Sequence, residues 1–196
     1  MAILCLASAS PRRLELLASI DVDCEVRPVD IDETPLPGEQ PRDYVCRLAR
    51  EKARAGAALS DLPVLGSDTA VVFEGEILGK PRDRDHALEM LAMLSGNTHE
   101  VLTGVAVSGP QGMLDICVTT RVTLRAISHA EAAAYWATGE PQDKAGGYGI
   151  QGRAAVFVSH IEGSHSAVVG LPLYETAELL ERQGVALWMS DSAAVS

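Results

Sequence analysis

Two kinds of signal alternate along this chain, and with its length they predict a single domain that mixes strands and helices and has room for two lobes. Short apolar runs bounded by turn residues read as strands, and Ser, Asp or Pro placed just ahead of apolar-periodic segments read as helix starts. At 196 residues the chain can bury one good core, and no Pro/Gly/Ser-rich linker divides it. Hydrophobic residues make up 47% and charged residues 22%, an ordinary water-soluble globular composition.

Residues 2 to 7 read as the first strand. Ser10 then acts as N-cap with Pro11 at the first helical position, and Leu14, Leu17 and Ala18 supply the inward face of that helix. Residues 21 to 28 read as a second strand or extended edge, and residues 29 to 40 as an acidic, proline-containing loop in which a solvated charge is the default for Glu33. Pro41 opens a helix to about Leu59, with Val45, Leu48, Ala49 and Ala53 on one face. Lys52 follows Leu48 by four and Ala49 by three, so it projects near that face and either snorkels to water or reaches into a cleft.

Residues 62 to 65 and 70 to 73 are strand-like runs that Asp68 interrupts. An unpaired carboxylate is costly to bury, so Asp68 is expected at a strand end facing a cleft. Glu74-Gly75 reads as a tight turn into Glu76-Ile77-Leu78, and Pro81 holds Lys80 extended. The plainer alternative has Asp68 capping a turn and Lys80 solvated in a loop. The run from Gly75 to Lys80 is no phosphate-binding P-loop: its glycines are one residue too close, and Pro81 stands where Ser or Thr is required.

Asp83 caps a helix through Leu94, with Leu88, Leu91 and Ala92 inside and Gly96 closing it. Residues 98 to 107 and 113 to 126 form two β-rich runs joined at Gly109-Pro110. Ser128 and Glu131 make a capping box for a helix to Thr138. Residues 141 to 152 are glycine-dense, either a surface loop or one that lets backbone approach a ligand, with Lys144 and Gln151 as its best polar reachers. Residues 155 to 161 read as a strand, Pro172 starts a last helix ending near Gly184, and the tail from Ser190 is small and polar, expected to fray.

The net charge of -11 argues against a nucleic-acid surface or a basic membrane patch. An anionic partner would need cations gathered locally. Ser8-Ala9-Ser10-Pro11-Arg12-Arg13 offers hydroxyls, a helix N-terminus and two guanidiniums, a combination that suits phosphate. Read more plainly it is a capped helix with two exposed arginines, but cations in a first turn oppose the dipole unless an anion sits there. Cys5, Cys24, Cys46 and Cys117 are scattered, without a CxxC pair or a histidine at metal-ligand spacing, as for reduced thiols in a cytoplasmic protein. The N-terminus lacks a basic lead-in and reaches Arg12 and Arg13 too soon for a signal peptide, and nothing approaches the length of a membrane span.

The blocks LASASPRRLELL, RLAREKA, GSDTAVVFEGEILGKP, LSGNTHEVLTGVAV and DKAGGYGIQG together resemble the Maf family of nucleoside triphosphate pyrophosphatases, in the family's order and spacing from Leu6 to about Leu180. The resemblance implies an α/β fold with a mixed, strongly twisted sheet flanked by helices, its two lobes enclosing a cleft. It implies hydrolysis of a nucleoside triphosphate between the α and β phosphates, with Asp68 as general base. Ser8, Ser10, Arg13, Glu33, Lys52 and Lys80 match the polar active-site set, and Arg12, Thr69 and Gln151 match positions tied to substrate choice. Thr69 and the DKAGGYGIQG block look like the dTTP/UTP branch, with modified pyrimidine triphosphates as further substrates. The alternatives are the sister branch acting on 7-methyl-GTP and a non-catalytic nucleotide-binding regulator of septum formation.

The residues suit that chemistry. Arg13, Lys52 and Lys80 would neutralise a triphosphate, and Asp68, ionised at neutral pH at its ordinary pKa, would orient and deprotonate water. Glu33 and Asp68 offer hard oxygens to a divalent cation, Mg²⁺ or Mn²⁺, that arrives with the substrate. The amide of Gln151 can match the donor and acceptor edge of uracil or thymine. Homodimerisation is common in the family.

Overall fold

The computed structural model of the protein describes residues 1–188. Among these residues seven strands and six helices follow one another: β1 (Leu4–Leu6), α1 (Pro11–Ala18), β2 (Cys24–Val26), α2 (Pro41–Ala57), β3 (Val64–Phe73), β4 (Glu76–Leu78), α3 (Arg84–Leu94), β5 (Thr98–Gly109), β6 (Gly112–Leu124), α4 (His129–Ala137), β7 (Val158–Glu162), α5 (His165–Val169) and α6 (Leu173–Arg182). The strands form one sheet in the order β2-β1-β3-β5-β6-β7, with β4 paired to β3. β1 runs parallel to both β2 and β3, whereas β3–β4 and β6–β7 are antiparallel, so the sheet is mixed. Short 3-10 turns at Glu140–Asp143, Ala145–Gly147 and Arg153–Phe157 complete the fold.

Backbone contacts divide the chain into two compact units. The first comprises Met1–Asp68, Thr103–Cys117 and the described residues from Gly170 onward, and the second Thr69–Leu102 and Val118–Val169. In the first unit the alternation of side chains along the strands assigns the two faces of the sheet. Leu4, Leu6, Leu65, Val105 and Val107 share a core cluster with Leu17 of α1 and Leu179 and Leu180 of α6. The intervening residues are small: Cys5 and Ala7 cluster with Val64, and Ala106 with Ala49 and Ala53 of α2. Helices therefore cover both faces, and α2 lies on the side lined by small residues.

Glycines set how close α2 comes. A Cβ on Gly66 would lie 2.3 Å from the Ala49 carbonyl oxygen and 2.5 Å from the Ala53 nitrogen, and one on Gly104 would lie 2.5 Å from the Val45 carbonyl oxygen. The α2 backbone thus rests directly on β3 and β5. Its inward face is Val45, Leu48, Ala49, Lys52, Ala53 and Gly56.

In the second unit the Glu74-Gly75 turn has both residues at positive φ, 51° and 86°, as a two-residue hairpin requires, and it sets Val71 opposite Leu78 and Val72 opposite Ile77. Asp83 caps α3 by accepting from the His86 N–H at 2.9 Å, and Ser128 and Glu131 close the capping box of α4. His99 and Tyr148 pack edge to face, as do Tyr135 and Phe157.

Several sequence expectations change, and Ala18 and Ala92, expected on inward helix faces, are exposed. Asp68 lies inside a continuous ten-residue strand and not at a strand end. The strand expected over residues 155 to 161 is β7, which starts at Val158 after a 3-10 turn. The glycine-dense segment holds two short 3-10 turns. The five-residue helix α5 was not anticipated, because it is too short to show a period. The expected fraying from Ser190 falls outside the described residues.

Candidate active site

Two groups of polar side chains form in the first unit. The first is built on the turn from β1 into α1. Ser10 caps α1, accepting from the Arg13 N–H at 3.5 Å, and Ser8 Oγ accepts from the Ser10 N–H at 3.2 Å and from Arg13 Nη1 at 3.1 Å. Arg13 Nε donates to the Gly170 carbonyl at 2.9 Å, an oxygen that also accepts from the buried Ser67 hydroxyl at 3.2 Å. Arg13 is therefore held from two sides. Arg12 follows Pro11 in the first turn of α1 and is half-buried. No acidic residue occupies that turn, so α1 presents its N-terminus, two guanidiniums and two hydroxyls together.

The second group follows from strand alternation. Val64 faces α2, so Gly66 and Asp68, two and four residues on, face it as well. Lys52 is part of the buried face of α2, and its Nζ lies 2.8 Å from Asp68 Oδ1 and 2.7 Å from Glu33 Oε1. Of the two readings left open, Lys52 takes the inward one. Glu33 is brought there by its loop: Tyr44 Oη donates to the Glu33 carbonyl at 2.9 Å, and Arg47 donates to the Thr34 carbonyl at 3.1 Å. Arg47 also grips Glu39 at 2.6 and 2.8 Å. Glu33 is no free solvated charge, although its side chain remains 56% exposed.

Burial pushes the Asp68 carboxyl above its ordinary value, while the Lys52 ammonium and then Arg13 pull it back and Glu33 adds to the rise. Asp68 is therefore more basic than the ordinary carboxylate the sequence suggested. Burial also draws the Arg13 guanidinium down, against the pull of Asp68. The Gly170 carbonyl that accepts from Arg13 also accepts from Ser67, the neighbour of Asp68 in β3, and this link joins Ser8, Ser10 and Arg13 to Glu33, Lys52 and Asp68 as one cluster.

Thr69, Lys80 and Gln151 belong to the second unit. Thr69 is half-buried in β3, Lys80 is exposed just after β4, and Gln151 is exposed in the turn before residues 153 to 157. Lys144 is no outward reacher: its Nζ is tied to the Glu140 carbonyl at 2.9 Å and to Asp143 Oδ1 at 2.8 Å. Sequence reasoning missed Tyr44, Arg47, Ser67 and Gly170. Tyr44 and Arg47 are three apart and so share a helix face, which was visible, but the loop they hold was not.

Among the described residues no group of three or more His, Cys, Asp or Glu could hold a metal ion. Yet Lys52 Nζ sits between one oxygen of Glu33 and one of Asp68. The Lys52 ammonium fills the point between those two oxygens, so a divalent cation there would use the carboxylates' other oxygens and take its remaining ligands from phosphate and water.

The profile of the Maf-like protein family matches residues 3–183. A protein of Yersinia pestis named dTTP/UTP pyrophosphatase is 56% identical over 182 residues, covering 92% of each chain. One of the same name from Pseudoalteromonas translucida is 56% identical over 178 residues, covering 90% of this chain and 94% of that one. Among solved structures, a HAM1 protein from Coxiella burnetii aligns with a TM-score of 0.48 at 18% identity, covering 93% of this chain and 100% of that one.

Proposed function

The chain belongs to the Maf family, and on that premise we propose that it is a dTTP/UTP pyrophosphatase, hydrolysing the bond between the α and β phosphates to release a nucleoside monophosphate and pyrophosphate. The observation that carries this reading is identity of 56% over 92% of the chain to a relative bearing that name. The geometry of the first unit supports it.

A triphosphate brings several negative charges, and water attack on phosphorus adds more in the transition state. The N-terminus of α1 with Ser8, Ser10 and Arg13 binds phosphate oxygens, and Lys52 and Lys80 supply further positive charge. Asp68 is the general base: it accepts a hydrogen bond from water, aims one lone pair at phosphorus and takes the proton. Its raised basicity strengthens that transfer, and such a base typically contributes about a hundred- to ten-thousandfold. Glu33 and Asp68 would hold a divalent cation, Mg²⁺ or Mn²⁺, which when bound neutralises phosphate charge. Gln151 is the reader of the pyrimidine edge, with Arg12 and Thr69 sharing in substrate choice. Modified pyrimidine triphosphates fall within the same reading. The reading treats the whole chain as one functional domain in a homodimer, and its free thiols fit the cytoplasm.

The test is pyrophosphate release from dTTP, UTP, CTP, GTP and 7-methyl-GTP with Mg²⁺ or Mn²⁺, for the protein and for Asp68→Asn. Release from dTTP and UTP should dominate and fall at least about a hundredfold in the variant, whose circular dichroism should match the parent. Preference for 7-methyl-GTP would overturn the roles of Thr69 and Gln151. Binding without release under either metal would point instead to a nucleotide-binding regulator.

A further inference from the structure

Where α2 meets β6, and wholly within the first unit, lies a cavity of about 620 Å³ whose lining includes Arg42, Cys46, Arg50, Asp115 and Cys117. None of these residues belongs to the cluster around Asp68. Cys46 is on α2 and Cys117 on β6, seventy-one positions apart in sequence, yet both side chains line this one cavity.

Two anchors hold them in register. Arg42, one helical turn before Cys46, donates through Nη2 to the Cys117 carbonyl at 3.3 Å. Arg50, one turn after it, pairs with Asp115 Oδ2 at 2.7 Å. Cys46 is thus bracketed at i-4 and i+4 by contacts to two residues of one strand, a clamp that fixes the helix on the strand on both sides of the thiol. Both cysteines stand in the cavity wall, Cys46 half-buried and Cys117 9% exposed.

We propose that Cys46 and Cys117 are a peroxide-responsive thiol pair that closes to an intramolecular disulfide, tying α2 to β6. The chemistry separates the two sulfurs. The neighbouring Cys117 thiol, and then Arg50 and Arg42, draw the Cys46 thiol below its ordinary value against burial and the Asp115 carboxylate. Cys117, beside Cys46 and buried, is pushed up. Cys46 is the attacking thiolate and Cys117 the resolving thiol.

The Cys46 thiolate attacks one oxygen of hydrogen peroxide; the O–O bond breaks, the departing oxygen leaves as water after taking up a proton, and Cys46 becomes a sulfenic acid. Cys117 sulfur then attacks Cys46 sulfur, the S–O bond breaks, and hydroxide leaves with the Cys117 proton as a second water. The two sulfurs together lose two electrons and the peroxide gains them. The other cysteines are placed differently: burial pushes Cys24 up to about 12 and raises Cys5 as well, so neither supplies much thiolate.

Treatment of the reduced, full-length protein with hydrogen peroxide tests the pair, read by intact mass, thiol titration and peptide mapping without reductant. The expected result is loss of two hydrogens, a fall from four free thiols per chain to two, and a cross-linked peptide joining Cys46 to Cys117 that dithiothreitol reverses. Cys46→Ser should abolish the mass loss, Cys117→Ser should leave a sulfenic acid on Cys46 that dimedone traps, and Cys24→Ser should behave as the parent. Circular dichroism of each variant confirms folding, and if Cys117→Ser does not fold the peptide map of the parent decides. Sulfinic acid on Cys46 with Cys117 untouched, a bond between Cys5 and Cys24, or a disulfide between chains would each overturn the proposal.

Discussion

The side chain on which most of the site's electrostatics turns is Lys52. Its ammonium touches Asp68 and Glu33 within 2.8 Å, with the Lys52 side chain 11% exposed and that of Asp68 13% exposed. Burial, with a smaller push from Glu33, drives the Asp68 carboxyl upward, and Lys52 is the strongest group opposing that rise. Replacing Lys52 with Met keeps the stem and removes the charge. The Asp68 carboxyl then has burial and Glu33 acting in one direction, with only Arg13 against them. The acidic limb of kcat/KM against pH should move to higher pH, because a base that holds its proton more tightly becomes active later on the way up. Turnover at the optimum should also fall by about a hundredfold for loss of one preorganised charge. An acidic limb that stays in place would show that Lys52 does not tune Asp68. The helical face of Lys52 was readable from its spacing to Leu48 and Ala49. Its partners were not, because Asp68 and Glu33 reach it through strand pairing and a pinned loop, both long-range events.

At the scale of elements, the contact of α2 with β3 decides whether Lys52 and Asp68 meet. Helix starts were legible because capping is local: Ser10, Pro41, Asp83 and Ser128 each open the helix expected of them. The role of Gly66 was not legible, since nothing in its neighbours says that a helix backbone will lie against it. A methyl group there would sit 2.3 Å from the Ala49 oxygen and 3.0 Å from Lys52 Cβ. Because the nearest atoms are backbone, the whole helix must move. Gly66→Ala should lower stability by about 1–3 kcal/mol, the usual cost of overpacking. It should cost more activity than stability, since α2 carries Lys52 away from Asp68 as it shifts. Gly75→Ala is the control: it is strained by φ of 86° but meets nothing within 4 Å, so it should lower stability by about 1 kcal/mol with turnover retained. A Gly66→Ala protein with the parent's melting temperature and kcat would refute the close-approach account. The thiol pair was hidden for the same reason as the Lys52 contacts: Cys46 and Cys117 are neighbours only once α2 lies on the sheet.

At the scale of the molecule, the two compact units should respond differently to acid. In the second, His99 is 2% exposed, its Nε2 is 2.6 Å from the Tyr148 hydroxyl, and its Nδ1 is buried with no hydrogen-bond partner. Charging the ring would bury an N–H without an acceptor, so desolvation draws the imidazole down to about 4 from its ordinary 6.5. The unfolded chain therefore binds a proton at a pH where the folded chain does not. Stability from this group is fully present above pH 6.5 and is lost as pH falls from 6.5 to 4, at most about 3 kcal/mol. In the first unit, Arg47 holds Glu39 down at about 2, so that carboxylate's contribution, present above the ordinary range, is lost only as pH falls toward 2. Hydrogen exchange followed from pH 7 to pH 4 should then show protection weakening first around His99 in β5 and in residues 145 to 149, while α2 stays protected. In His99→Gln, whose amide carries no titrating proton, this loss between pH 6.5 and 4 should be flattened. Simultaneous loss in both units, or an unchanged profile in the variant, would mean that some other group governs the acid response.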